Sequence, residues 1–405
     1  MSNRFAASRQ GVEMSVRHAS WVAITVVFTS VCLGQERSEI ASASLPEMYF
    51  PPPGESLDMQ SRRSPAEVGL SADFIDGLKP LVAGRWALWR NGYLVHVAGD
   101  FHTKGDVASL RKTWHALTVG AAIKQNKIPT VTERISVWAP GLQGVHAEAT
   151  WWHVITQTSG FDYPYGPWPA YRPGEIWTYS DKNPRVLCYA LARVYGKKDF
   201  HDEYADVVRQ AYFDAIGLRG WRAVPRQDGI RFHFDLEDMG RLGLLILNRG
   251  RWAGREIIPQ WFVEQLERKQ TGGIGVNYDG PDDGKIDLDP KRFPEAPYGF
   301  MTWVNTDGEF YPGADRAWAW AAGAGGTRVL WSRNNGIVFA AFGADKKPSG
   351  NGIPQVIERS IISEQKRTAG STGQPTGGKG WRQVISTGTA ARSKWYRSWA
   401  TVDAT

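Results

Sequence analysis

The chain has 405 residues, of which 42% are hydrophobic and 12% aromatic, which excludes an intrinsically disordered protein and provides enough apolar side chains for a large core. Its formal net charge of +7 lies at the two ends, because residues 1–34 carry three arginines against one glutamate and residues 364–405 carry seven basic against two acidic residues. The remaining body is neutral, so its composition does not favour a nucleic-acid-binding protein.

The N-terminal segment has the pattern of a signal peptide. Arg17 precedes an apolar run, residues 21–33, that is too short to span a bilayer comfortably. We therefore expect residues 1–34 to be removed and the protein to be exported to the periplasm or the medium; an uncleaved membrane anchor is the alternative. Cleavage would leave Cys188 as the remaining thiol, which excludes an intrachain disulfide, and its apolar neighbours favour a place in the core.

Composition also suggests boundaries in the mature chain. Residues 35–64 contain three consecutive prolines and are interpreted as a lead into a main domain of residues 65–363. The tail, residues 364–405, is rich in Gly, Ser and Thr, has no periodicity, and is expected to be disordered. Its positive charge predicts a weak contact with an anionic surface.

The predicted elements follow the chain in a helix, hairpin, helices, hairpin, helix order. A helix is predicted from Ser71 to about Val82. One hairpin turns at Asn91-Gly92 and a second at residues 334–336, Asn-Asn-Gly. Further helices are predicted at residues 110–125, 151–156, 185–195, 235–247 and 354–364. This order predicts a two-lobed α/β fold, in which both chain ends build one antiparallel sheet around a mostly helical insertion.

Ser109 and Lys112 provide the first chemical signal. On a helix, residues three apart share a face, so the lysine amine can reach the serine hydroxyl and act as its base. A helix start at Leu110 would direct the Ser109 amide and the positive helix end at a developing oxyanion. The pattern is short, however, and Ser363 and Lys366 also match it; a helix cap followed by an exposed lysine is the alternative.

Two later segments complete the pattern. Tyr179, in the sequence Trp-Thr-Tyr-Ser-Asp, would carry protons as phenol or phenolate, with simple packing as its alternative. Gly323, Ala324 and Gly325 open the second hairpin, where small residues would admit a substrate carbonyl to an edge strand. The Ala324 amide would then pair with that of Ser109 as an oxyanion hole, whereas a plain bulge or turn is the other interpretation.

In this order, the three segments resemble those of the serine hydrolase superfamily of class C β-lactamases, penicillin-binding DD-peptidases and related esterases and amidases. Supporting stretches are residues 156–161, 173–174, 238–243 and 248–252, and the resemblance covers residues 65–362. It implies that Ser109 is the acylated nucleophile, Lys112 its base and Tyr179 the second proton carrier. It also implies that the Ser109 and Ala324 amides hold the oxyanion and that no cofactor is needed.

The departures from the family pattern concern the substrate. Relatives commonly carry Lys or His at the head of the third segment, where this sequence has Ala321, and no cationic residue lies between Trp318 and Thr327. The sequence is therefore more similar to the branch of 6-aminohexanoate oligomer hydrolases and esterases than to true β-lactamases. Asp181 stands where many relatives have Asn. A carboxylate there would oppose deprotonation of Lys112, so we expect it to orient the ammonium or to meet a cationic substrate group.

Other polar and aromatic residues are weaker candidates. Trp168 and three nearby tyrosines lie between the Gly160 turn and Tyr179, where lining an acyl pocket and packing are equally plausible. His115 and His153 are interpreted as core or surface residues, and Gln157, which replaces a family histidine, as structural. No His/Cys/Asp cluster has the spacing of a metal site, and no Gly-x-Ser-x-Gly motif is present.

The sequence therefore predicts an exported serine hydrolase that acts through an acyl-enzyme on a small amide, ester or short peptide-like substrate. Two alternatives stay open. One is an acyl-accepting sensor that never releases its adduct, and the other is a non-catalytic scaffold, which the missing cation of the third segment favours.

Overall fold

The computed structural model describes residues 49–51, 55–57, 61–161, 171–226, 229–277, 288, 290–344 and 352–362. The chain divides into residues 1–41 and 42–405, and every described residue belongs to the second unit. The expected signal peptide, the basic tail, Trp168 and Ser363 lie outside the described residues. Within the described part, no helix has the length and apolar character needed to cross a bilayer.

The helices include those that the sequence predicts and two that it does not. They are α1 Asp73–Leu78, α2 Arg111–Lys124, α3 Trp151–Ile155, α4 Lys182–Val194, α5 Phe200–Val208, α6 Leu236–Leu247, α7 Gln260–Leu266 and α8 Ile353–Arg359. Helix α1 ends before Val82 because Pro80 has no N–H group to continue the helical hydrogen bonds. Helices α5 and α7 are the additional ones; Asp199 caps α5 by accepting a hydrogen bond from the amide of His201.

The strands build one large sheet and several small ones. They are β1 Trp86–Arg90, β2 Tyr93–Ala98, β3 Gly105–Asp106, β4 Ile176–Trp177, β5 Arg222–Arg226, β6 Gly229–Phe234, β7 Arg251–Trp252, β8 Arg255–Glu256, β9 Gly275–Val276, β10 Trp303–Val304, β11 Trp318–Gly323, β12 Thr327–Ser332 and β13 Ile337–Ala341. The large sheet has the order β10-β11-β12-β13-β1-β2 and is antiparallel throughout. A smaller sheet, β3-β6-β5, lies in the segment between the two hairpins.

Both predicted hairpins are present and set the register of the large sheet. Asn91 and Gly92 have φ values of +49° and +83°, which fits a two-residue turn that needs positive φ at both positions. Strand β1 pairs with β13 from Trp86 opposite Ala341 to Arg90 opposite Ile337. The N- and C-terminal segments therefore form one antiparallel sheet, which confirms the predicted fold class.

Helix α6 lies directly against this sheet because two of its residues that face the strands are glycines. A Cβ atom on Gly240 would lie 2.5 Å from the indole of Trp89, and one on Gly243 would lie 2.5 Å from Val338. Both glycines thus allow a close approach of helix and strands.

Part of the lead already packs on the domain. The Tyr49 amide donates to the Asn91 carbonyl at 3.2 Å, and the Arg63 amide donates to the Leu94 carbonyl at 3.0 Å. Leu57 is fully buried, and the carboxylate of Glu237 accepts a hydrogen bond from its amide at 3.0 Å. Residues before position 65 therefore contribute to the hydrophobic core.

Candidate active site

Ser109 lies in a single 3₁₀ turn, Ala108–Leu110, that leads into α2. The residue before it, Ala108, has a φ of +48°, a conformation that is uncommon for residues with a Cβ atom. Two contacts hold it there: its amide donates to Asp106 Oδ1 at 2.7 Å, and its carbonyl accepts a hydrogen bond from Arg111 at 3.2 Å. The turn that presents Ser109 is thus fixed from both sides, and α2 begins one residue later than the sequence predicts.

Ser109 and Lys112 are in hydrogen-bond contact. The distance between Lys112 Nζ and Ser109 Oγ is 3.1 Å. The lysine side chain is 1% exposed, whereas Ser109 is partly exposed. A buried amine therefore contacts a hydroxyl that solvent and substrate can reach, which is the geometry that the Ser-x-x-Lys spacing predicts.

Asp181 joins this pair through its Oδ1 atom. Lys112 donates to that oxygen, and Arg111 donates to the same oxygen at 3.1 Å. Burial alone would raise the pKa of the Asp181 carboxyl, but the charges of Lys112 and Arg111 outweigh it and lower the pKa to about 2. Asp181 is consequently an ionised group that hydrogen-bonds the Lys112 side chain.

Tyr179 covers Lys112 with the face of its ring. The distance from Lys112 Nζ to the ring centroid is 4.2 Å, a cation–π contact. The ring is stacked on Trp303 with centroids 5.9 Å apart, and its edge meets Tyr298 at 6.3 Å. Lys112 thus donates hydrogen bonds to Ser109 and Asp181 and meets Tyr179 through the face of its ring.

Gln157 holds the loop that carries Tyr179. Its Oε1 atom accepts hydrogen bonds from the Ser180 amide at 3.1 Å and from Asn183 Nδ2 at 2.8 Å. Its own carbonyl accepts a third from the Thr178 amide at 3.0 Å. Gln157 therefore holds both flanks of Tyr179, Ser180 through its side chain and Thr178 through its backbone carbonyl.

Tyr298 and Trp303 form the wall behind Tyr179, and no sequence pattern marks either as a site residue. Tyr298 is fully buried; burial, followed by the nearby Tyr179 and Asp181, raises its pKa well above the usual range, so its hydroxyl stays protonated. These residues are more than one hundred positions from Tyr179, in a segment with no recognised motif. Arg111 was missed as well, although it lies between Ser109 and Lys112 in sequence.

The third segment meets the nucleophile turn directly. A Cβ atom on Gly323, the last residue of β11, would lie 2.2 Å from the Val107 carbonyl oxygen and 3.2 Å from the Leu110 nitrogen. Ala324 and Gly325 follow at an exposed turn, where Gly325 has a φ of +74°. The segments that carry the Ser109 and Ala324 amides are therefore in contact, as an oxyanion hole between them requires.

A further cation lies at the base of the site. Arg231, on β6, is 3.7 Å from the Asp106 carboxylate, the group that also holds the Ala108 amide. Its charge contributes to the low pKa of Asp181. Ala321, by contrast, is buried in β11 and supplies no charge.

The histidines have other partners. His115 is buried, with Nδ1 2.9 Å from the Tyr204 hydroxyl and Nε2 3.1 Å from the Ile230 carbonyl. His153 forms a capping box with Thr150 at the start of α3. Across the described ranges, no group of three or more His, Cys, Asp or Glu side chains is arranged to hold a metal ion.

Comparison of the structure with solved structures identifies the fold. No family model and no curated protein matches the sequence. A class C β-lactamase from Rhodobacter sphaeroides matches with a TM-score of 0.51 at 15% identity, over 71% of this chain and 99% of that one.

Two further structures point to the same fold. A Bacillus anthracis protein assigned as a 6-aminohexanoate-dimer hydrolase matches with a TM-score of 0.54 at 16% identity, over 80% of this chain and 89% of that one. The hydrolase EstCE1, which has promiscuous acyltransferase activity, matches with a TM-score of 0.55 at 14% identity, over 72% of this chain and 98% of that one. The chain therefore has the α/β fold of β-lactamases and penicillin-binding proteins.

Proposed function

We propose that the protein is a serine hydrolase that acts through an acyl-enzyme on an amide or ester substrate. The observation that carries this proposal is the 3.1 Å contact between Ser109 Oγ and a buried Lys112 amine, in a fold that serine hydrolases share. The hydroxyl is partly exposed, and the end of β11 adjoins its turn, so a carbonyl group can approach Ser109 beside a strand edge.

The proposed reaction has two halves. Ser109 Oγ attacks the substrate carbonyl carbon while its proton passes to the neutral amine of Lys112, and the carbonyl electron pair moves onto the oxygen, where the Ser109 and Ala324 amides bind it. As the C–N or C–O bond breaks, Tyr179 delivers a proton to the leaving group. In the second half, water attacks the acyl carbon and gives its proton to the Tyr179 phenolate. The bond from the acyl carbon to Ser109 Oγ then breaks, and the Lys112 ammonium returns its proton to Ser109, so that the acid leaves and all three groups are restored.

The surroundings of the site favour a linear amide or ester over a β-lactam. A substrate carboxylate would meet no cation at Ala321, and the rings of Trp303 and Tyr298 behind Tyr179 are buried and supply no charge. We therefore propose a substrate without a carboxylate close to the scissile bond. The apolar run of residues 21–33 supports a further proposal, an exported location for the enzyme.

Replacement of the nucleophile tests the proposal. We expect Ser109→Ala to lower turnover of p-nitrophenyl esters on the order of 10³-fold or more, and to abolish labelling by a fluorophosphonate. Ser363→Ala is the matched control, because it changes the serine of the second Ser-x-x-Lys pattern and is expected to leave both measurements unchanged. Labelling that persists in Ser109→Ala and disappears in Ser363→Ala would identify Ser363, and not Ser109, as the nucleophile.

One observation favours a second candidate, an acyl-accepting sensor. Lys112 is ion-paired with Asp181, and an ammonium held in this way does not activate the water that deacylation needs. The lifetime of the adduct separates the two functions: intact mass should return to that of the free protein after excess ester is removed. An adduct that persists for hours identifies the sensor.

A further inference from the structure

Arg111 lies beside the proposed nucleophile and base, and its role does not follow from the reaction described above. Its side chain is fully buried, and it donates to Asp181 Oδ1 at 3.1 Å and to the Ala108 carbonyl at 3.2 Å. Lys112 donates to the same Asp181 oxygen. Since two cations share one oxygen atom, the guanidinium and the ammonium lie within about 6 Å of each other, where like charges disfavour one another.

We propose that Arg111 is a positioning residue that eases the loss of the proton from Lys112 and keeps Asp181 charge-paired after that proton has left. This inference rests on the proposed function, in which the neutral amine of Lys112 accepts the proton of Ser109. In a site with Asp181 and Lys112 alone, deprotonation would leave a buried carboxylate without a cation, which is strongly unfavourable. Arg111 removes that penalty because it already occupies the same oxygen.

The electrostatic direction follows from the charges that face Lys112. The positive charge of Arg111 disfavours a second positive charge on the neighbouring amine, whereas Asp181 favours it. From the loop of Tyr179, an uncharged aromatic ring covers the amine, with the protonated Tyr298 behind it. Arg231, on β6, is a further positive charge near this site. It helps to lower the pKa of Asp181, as Arg111 does, and it also pairs with Asp106.

The contact of Arg111 with Ala108 adds a positional effect. Ala108 precedes Ser109 and has a φ of +48°. The Arg111 guanidinium therefore holds both the turn that carries Ser109 and the carboxylate of Asp181 that pairs with Lys112. A change in Lys112 protonation therefore takes place without loosening that turn. A merely structural arginine would explain the second contact but would not alter the pH dependence of acylation.

The test is the pH profile of acylation, measured as the first-order rate of fluorophosphonate labelling by intact mass. In Arg111→Met, we expect the pH at which the rate is half-maximal to rise by about one unit or more, which is about a tenfold slower rate at a fixed pH on the rising limb. Arg111→Lys retains the charge and should keep the wild-type midpoint. Arg193→Met, an exposed arginine of α4, is the control for the loss of one positive charge and should not move it.

Asp181→Asn and the double variant Arg111→Met/Asp181→Asn supply the second comparison. The midpoint should fall in Asp181→Asn and rise again in the double variant. If circular dichroism shows that Arg111→Met does not fold, the comparison of Asp181→Asn with the double variant alone tests the role of Arg111. Equal midpoints with and without Arg111 in either background overturn the inference, whereas absence of labelling in the wild-type protein overturns the proposed function instead.

Discussion

Gly323→Ala should disable the candidate site by steric contact, without removing any chemical group. The new Cβ atom would lie 2.2 Å from the Val107 carbonyl oxygen, where ordinary contact begins near 3.4 Å. The atoms that this Cβ meets belong to the backbone, so β11 and the nucleophile turn must separate by about 1 Å. A displacement of that size between catalytic groups lowers the reaction rate on the order of 10²-fold. Overpacking should also cost about 1–3 kcal/mol of the free energy of unfolding.

The assay separates the acylation rate from stability. First-order fluorophosphonate labelling, followed by intact mass, gives the observed rate constant, and urea unfolding gives the folded fraction by which that constant is divided. Gly141→Ala is the matched control, because its Cβ atom would have no neighbour within 4 Å and the position is exposed. A Gly323→Ala protein that is labelled at the wild-type rate would refute the inferred contact between β11 and the Ser109 turn.

Two further predictions concern stability and pH. The pKa of Asp181 is about 2, below that of the unfolded chain, so its contribution of about 2 kcal/mol is present above pH 4 and is lost as pH falls from about 4 to 2. Asp181→Asn should lack this acid-dependent loss in urea unfolding. The pKa of Asp238 is raised to about 8 by burial and by Asp235, so the folded state holds a proton that the unfolded state releases, and stability falls as pH rises from about 4 to 8. Asp238→Asn should therefore gain stability over the wild type at pH 8 relative to pH 5; parallel pH dependences would contradict this.

The sequence predicts the parts of the site that local geometry determines. Asn91-Gly92 identifies a hairpin because its turn needs positive φ at two successive residues, and these residue types supply it. The Ser109–Lys112 contact follows from helical periodicity, which brings residues three apart to one face. In each case, the interaction spans only a few residues, so the pattern in the sequence contains it completely.

The missed parts depend on tertiary contacts or on an unusual backbone conformation. Trp303 and Tyr298 reach Tyr179 only after β10 and the segment before it have packed beside the loop of Tyr179. Ala108 adopts positive φ although alanine carries no turn signal, because Asp106 and Arg111 hold it there. No local propensity identifies such a residue, since the surrounding structure overrides it.

Asp181 and Arg111 are best explained together. A carboxylate at position 181, where many relatives are expected to have Asn, adds a negative charge next to the proposed base and by itself would favour the protonated amine. The sequence alone presents this as an obstacle to catalysis. In the structure, Arg111 binds the same Asp181 oxygen as Lys112, so the carboxylate has a permanent cationic partner whichever form the lysine takes. In the proposed mechanism, Asp181 therefore holds Lys112 3.1 Å from Ser109, while Arg111 keeps the carboxylate paired.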